Sequence, residues 1–125
     1  MQYLVATDSV HTTAAACDYL EGRLDPNDAV AVVTVPGDET RDADDALNVA
    51  NARLLGKAMV ETDRLADTDA DTASAILTAA NERNADIIVL GPHAGVAGAG
   101  PALGSTARTV AEAADVPVVI VPLSL

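Results

Sequence analysis

Five short apolar runs punctuate the chain at nearly even intervals: Tyr3–Ala6, Ala29–Val35, Ala58–Leu65, Ile87–Leu90 and Val118–Val121. Each is too short for a helix and most are rich in Val and Ile, so they read as buried strands. Between them the apolar residues change period. Ala15, Ala16, Tyr19 and Leu20 fall on one helical face, as do Ala43, Ala46, Leu47, Ala50 and Leu54. A third face holds Ala73, Ile76, Leu77 and Ala80, and a fourth Ala107, Val110, Ala111 and Ala114. Gly22 and Gly56 are placed to stop the first two helices, and the third ends near Asn84. Strand and helix in strict alternation specify a parallel sheet, doubly wound and covered by helices on both faces. Its crossovers are right-handed. The run Ala58–Leu65 contains Glu61, Asp63 and Arg64, a polarity that suits an edge strand. The 125 residues amount to one domain, 1–125.

Composition narrows the partners. Half the residues are apolar but only two, both Tyr, are aromatic, so the core is built of Ala, Val, Leu and Ile. Nineteen acids stand against seven bases, a formal net charge of -12, and Lys57 is the only lysine. Nucleic acid and anionic membrane both require a positive footprint and are excluded as partners on this ground. An acid excess with almost no lysine fits a halophile's protein, because at about 1 M salt the Debye length is only ~3 Å. The single cysteine, Cys17, forms no internal disulfide and is expected to be a small buried filler. The chain opens without a charged and apolar leader, and no apolar run approaches the ~18 residues of a membrane span. A cytoplasmic protein is expected.

In a doubly wound sheet the ligand binds beyond the carboxyl ends of the strands, where strand order reverses. The first strand, ending at Thr7-Asp8, and the fourth, ending at Gly91, are the natural pair to flank that crevice. Several nucleotide folds are excluded by what these turns lack. The turn Thr7-Asp8-Ser9-Val10-His11 has no dinucleotide glycine fingerprint, and Lys57 belongs to no Walker motif. No Trp or Phe is present to stack a flavin, and the fifth strand ends in Val121-Pro122, without the lysine of a phospho-receiver. A Gly, Ala and Pro loop instead follows the fourth strand and feeds a helix at Gly104-Ser105-Thr106. Backbone N–H groups at such a junction can hold an anion.

Gly91 and Gly104-Ser105 stand at the separation of the Gly-x2-Gly-x9-Gly-Ser/Thr motif, and by it the chain resembles the universal stress protein family. Gly91-Pro92-His93 is similar to that family's Gly-Ser-His/Arg opening, and Val116–Val121 to its last strand. The resemblance spans essentially the whole chain and is most specific in the C-terminal third. It implies a three-layer α/β/α, Rossmann-like fold with strand order 3-2-1-4-5, and a stress-response protein that binds an adenine nucleotide. The implied cofactor is ATP, with Mg²⁺ or Mn²⁺ as companion. By position, Thr7 and Asp8 would meet the adenosine side and Val35 would line the base pocket. Gly91, Gly104, Ser105 and Thr106 would hold phosphates, with His93 near their entrance. A homodimer through Val118–Val121 is implied as well, and an edge strand that apolar needs a partner on physical grounds alone.

The motif departs from the family at its second glycine, which is Ala94 here, with Gly95 one place late. Asp67, Asp69 and Asp71 crowd the turn after the third strand and would repel phosphate. Plainer roles also exist for the site residues. Asp8, Ser9 and Ser105 suit helix caps, Gly91 and Gly104 suit tight turns, and His11 and His93 suit solvated positions. The acids Asp42, Asp44 and Asp45 suit a solvated helix start. Two functions therefore stay open: a nucleotide-binding sensor, and a dimeric interaction module whose phosphate loop has degenerated at Ala94. No carboxylate-and-base pair stands at the glycine loop, so efficient hydrolysis is not expected.

Overall fold

The computed structural model describes residues 1–7, 9–34, 40–65, 72–92 and 104–122, with the backbone alone at 40–43. Its elements run β1 (Gln2–Thr7), α1 (Val10–Glu21), β2 (Ala29–Thr34), α2 (Thr40–Leu54) and β3 (Met59–Arg64). Then follow α3 (Thr72–Glu82), β4 (Ile87–Leu90), α4 (Ser105–Ala113) and β5 (Val118–Ile120). The five strands form one parallel sheet in the order β3-β2-β1-β4-β5. The order reverses between β1 and β4, as the family resemblance implies.

Side-chain alternation in the strands divides the apolar residues into two cores. Leu4, Ala6, Ala31, Val33, Ile88 and Leu90 point to one face, where α3 and α4 cover them with Ile76, Ala80, Ala107 and Val110. Tyr3, Val5, Val30, Val32 and Val89 point to the other, against Cys17 and Leu20 of α1 and Leu47 and Leu54 of α2. Small alanines at Ala16, Ala50, Ala73 and Ala79 let the helices lie close to the sheet. Leu4, Leu20, Val33 and Val89 are completely inaccessible to solvent.

The helical faces expected from sequence are those that are buried, with one correction. Ala111 is exposed, while Ala107 and Val110 alone anchor α4. This helix is only nine residues long and packs beside the edge strand, so its apolar stripe is narrower than its periodicity implied. Ala43 lies outside the residues with described side chains. The edge position of β3 follows its polarity: Met59, Glu61, Asp63 and Arg64 are exposed.

Electrostatic links tie the elements at the surface. Arg53 of α2 reaches Asp18 at 2.7 Å and Glu21 at 2.8 Å on α1. Arg83 after α3 holds Asp63 of β3 at 2.9 Å, and Arg64 pairs with Asp44. Arg23 lies over the Tyr19 ring and donates to the Tyr19 carbonyl. Much of the scarce positive charge is thus spent locally.

The two stop glycines differ in a way that sequence alone does not reveal. Gly22 closes α1 in ordinary right-handed geometry, φ −87°, with open space where a Cβ would stand. Gly56 has φ +80°, which an L-side chain adopts only with strain. Gly22→Ala should be neutral or stabilise by about 0.4–1 kcal/mol, whereas Gly56→Ala should cost about 1 kcal/mol. Urea unfolding of the two variants checks this.

Candidate functional site

The carboxyl ends of β2, β1 and β4 lie side by side at the point of reversal. Thr7 is the register partner of Thr34. The β1–β4 register pairs Val5 with Val89, and continuing it by two residues brings Thr7 level with Gly91. Thr34, Thr7 and Gly91 therefore span three neighbouring strands at one height, at the end of the sheet where the crevice is expected.

Beyond Gly91 the chain leaves for the glycine loop and returns through a narrow neck. The Gly104 N–H donates to the Pro92 carbonyl at 2.7 Å, which pins the start of α4 to the end of β4. Gly104 is the N-cap, in extended geometry with φ −69° and ψ 165°, and it offers no side-chain acceptor. Ser105 is thus the first helical residue rather than the cap that its hydroxyl suggested. Glycine at this position leaves the N–H groups of the first turn without a capping side chain. Ser105 is exposed and Thr106 half-buried. This helix start can take an anion through N–H groups, hydroxyls and the helix dipole.

The other helix start, at α1, is built differently. Ser9 is its N-cap, and its hydroxyl accepts from the Thr12 N–H at 3.2 Å. Thr7 turns its hydroxyl into this cap: it lies 2.9 Å from the Thr13 hydroxyl and 2.9 Å from the Ser9 carbonyl, to which it donates. Thr13 also reaches that carbonyl at 3.1 Å. Thr7, Thr12 and Thr13 are all buried. At the α1 end the cap residue's own side chain meets a first-turn N–H, and at the α4 end the cap residue has no side chain to do so.

Of the residues singled out by sequence, Thr7, Gly91, Gly104, Ser105 and Thr106 are brought to this end of the sheet. Asp8, Val35 and His93 lie outside the described residues, as do Ala94 and the acids Asp67, Asp69 and Asp71. His11 is exposed on α1. Cys17 is buried in the α1–α2 core, and burial pushes its thiol pKa up, so it is a filler rather than a nucleophile. Among the described residues no group of three His, Cys, Asp or Glu could hold a metal ion, and no helix is long and apolar enough to cross a membrane. Sequence reasoning missed Thr34, Thr12 and Thr13. Threonine in a strand or helix carries no positional signal until the neighbouring element is known.

The two helix starts predict opposite responses to capping. Ser9→Ala should cost about 1 kcal/mol, whereas Gly104→Asp should stabilise by a few tenths of a kcal/mol, because its backbone geometry accepts any residue. Thermal unfolding without ligand reads both.

Comparison with known proteins agrees with this architecture. The profile of the universal stress protein family matches residues 2–122. A universal stress protein solved in complex with cAMP is 25% identical with a TM-score of 0.74, over 99% of this chain and 98% of that one. The Archaeoglobus fulgidus universal stress protein in complex with dAMP is 24% identical with a TM-score of 0.69, over 97% of each chain. A Lactobacillus plantarum universal stress protein is 17% identical with a TM-score of 0.59, again over 97% of each. The last two show the common fold. No curated protein matches the chain.

Proposed function

The chain belongs to the universal stress protein family, and from that premise we propose that it is a cytoplasmic, single-domain regulatory protein that binds ATP without turning it over efficiently. The observation that carries this reading is the glycine N-cap of α4, pinned to the end of β4 by the Pro92–Gly104 hydrogen bond. The phosphates would lie on the N–H groups of that turn, with the Ser105 and Thr106 hydroxyls beside them and Gly91 allowing close approach. The adenosine would extend across the ends of β1 and β2, past Thr7, with Asp8 and Val35 as its further contacts and His93 at the phosphate side. The cAMP complex of a protein 25% identical to this one supports an adenine nucleotide as the ligand class. Phosphate charge would be met by dipoles rather than by a lysine, so Mg²⁺ or Mn²⁺ would travel with the nucleotide. The acidic composition fits work in concentrated salt, where carboxylates repel phosphate only at short range.

Gentle purification in high salt with Mg²⁺, followed by denaturation and mass spectrometry, should release adenine nucleotide in stoichiometric amount. Gly104→Asp puts a carboxylate where the phosphates would lie and should weaken ATP binding at least about tenfold, measured by calorimetry. An empty wild-type protein that shows no heat with ATP would overturn the reading.

A dimer through the last strand is part of the proposal, and it is also the core of the second reading, an interaction module. The Ile88 N–H donates to the Pro117 carbonyl, and the Val121 N–H donates to the Leu90 carbonyl. By alternation the amides of Val118 and Ile120 therefore point away from the sheet, along the open edge of β5. An edge of Val and Ile amides is a template for a second copy of the strand. Sedimentation velocity should show two copies for the wild type and one for Val118→Pro, which lacks an outward N–H. A dimer unchanged by this substitution would place the contact elsewhere.

A further inference from the structure

The helices that cover one face of the sheet together, α3 and α4, end on the far side of the molecule from the crevice. Each crossover helix of a parallel sheet runs back against the strands, so both finish at the amino ends of β4 and β5. Between their last turns lies a groove of about 390 Å³, within the size range of small-molecule sites. Its floor is apolar: Ile88 is buried, and Leu77 and Val116 pack against the same core, half-buried. Its polar lining is Asn81, Asn84 and Asp115. None of these three side chains has a hydrogen-bond or ion-pair partner among the described residues.

The charge of this groove has one sign. Helix dipoles place partial negative charge at C-terminal ends, and two such ends meet here. α4 leaves helical geometry at Ala114, φ −72° and ψ 143°, so the carbonyls of Ala111, Glu112 and Ala113 have no helical N–H after them. α3 closes through Asn84, at φ +53°, with the Ala85 N–H on the Ala80 carbonyl at 3.0 Å. Asparagine tolerates that left-handed geometry and, unlike the glycine that stops α2, brings an amide to the groove. The lining adds the Asp115 carboxylate and no basic residue. Arg83, next to Asn84, is turned to Asp63 instead.

This combination selects a class of ligand. A phosphate or carboxylate would meet like charge. A neutral apolar molecule would cover Asp115 and the helix carbonyls without pairing them, which costs binding energy. A bare divalent ion lacks ligands, since no group of three His, Cys, Asp or Glu among the described residues could hold one. An ammonium group on an apolar body answers every part. Its N–H groups donate to the carboxylate, the amide oxygens and the helix carbonyls, and its body lies on the apolar floor. We propose that the groove between the ends of α3 and α4 is a second ligand site, which takes a small organic molecule carrying a primary ammonium group on an apolar body. The site is independent of the nucleotide reading, and α4 has one site at each of its ends.

The test uses the full chain, labelled with ¹⁵N in amine-free buffer, and two probes: phenethylamine, protonated at neutral pH, and 2-phenylethanol, its uncharged counterpart. Phenethylamine should give saturable NMR shifts confined to Asn81, Asn84, Asp115 and their neighbours, and 2-phenylethanol should bind at least about fivefold more weakly. Asp115→Asn should weaken the amine about fivefold and leave the alcohol within about twofold. Ala113→Phe, at an exposed position on the groove wall, should fill the groove and abolish binding of both. Equal affinity for the two probes, or amine binding unchanged in Asp115→Asn, would overturn the proposal. Shifts scattered over the acidic surface that survive Ala113→Phe would show ordinary counter-ion attraction to a chain of net charge -12 and would overturn it as well.

Discussion

Everything at the binding end depends on the pairing of β1 with β2 on one side and β4 on the other. β1 is paired along both edges and covered on both faces, so its odd and even residues belong to different cores. A slip of one residue would exchange Leu4 and Ala6 with Tyr3 and Val5 and ruin both. That penalty locks the register, and the register sets Thr34, Thr7 and Gly91 at one height. That alignment is thus a by-product of core packing: the side chains that enforce it lie in the two cores below the strand ends.

The two helix starts at this end show how a fold divides its polar groups between stability and binding. At α1 the Ser9 hydroxyl meets that of Thr12 and the Thr12 N–H, and the Thr7 and Thr13 hydroxyls lie against each other and the Ser9 carbonyl, so these groups contribute to stability. At α4 the cap is a glycine, which brings no side-chain acceptor of its own to the first-turn N–H groups. Stability is forgone there, and a helix start of this kind is suited to an anion. The neck between Pro92 and Gly104 holds this turn against the sheet through the Gly104 N–H alone, leaving the N–H groups of the residues after it out of that bond.

The surface follows a different logic. With seven bases in the chain, the arginines at positions 53, 64 and 83 are each committed to carboxylates that join two elements. Exposed pairs of this kind contribute at most about 1 kcal/mol each. The two sheet edges are treated unequally. β3 carries Glu61, Asp63 and Arg64, charges that discourage further pairing, while β5 presents Val and Ile amides without such protection. The asymmetry is in keeping with the association through β5 proposed above.

Periodicity by itself determined most of this architecture. Alternating runs of β-branched residues and helical stripes place the nine elements among the described residues, put β4 at Ile87–Leu90 to the residue, and mark β3 as an edge. These features are local, since period and polarity are properties of neighbouring residues. Glycines marked the helix ends, but only the backbone distinguished Gly56, at positive φ, from Gly22. The glycine spacing found Gly91 and Gly104, yet it could not decide between Gly104 and Ser105 as the cap, because that choice follows from where the neck bonds. Thr34 could not be singled out at all. A threonine in a strand is unremarkable until tertiary structure buries its hydroxyl with no partner among the described residues, and hydrogen-bond satisfaction is settled between elements rather than within them.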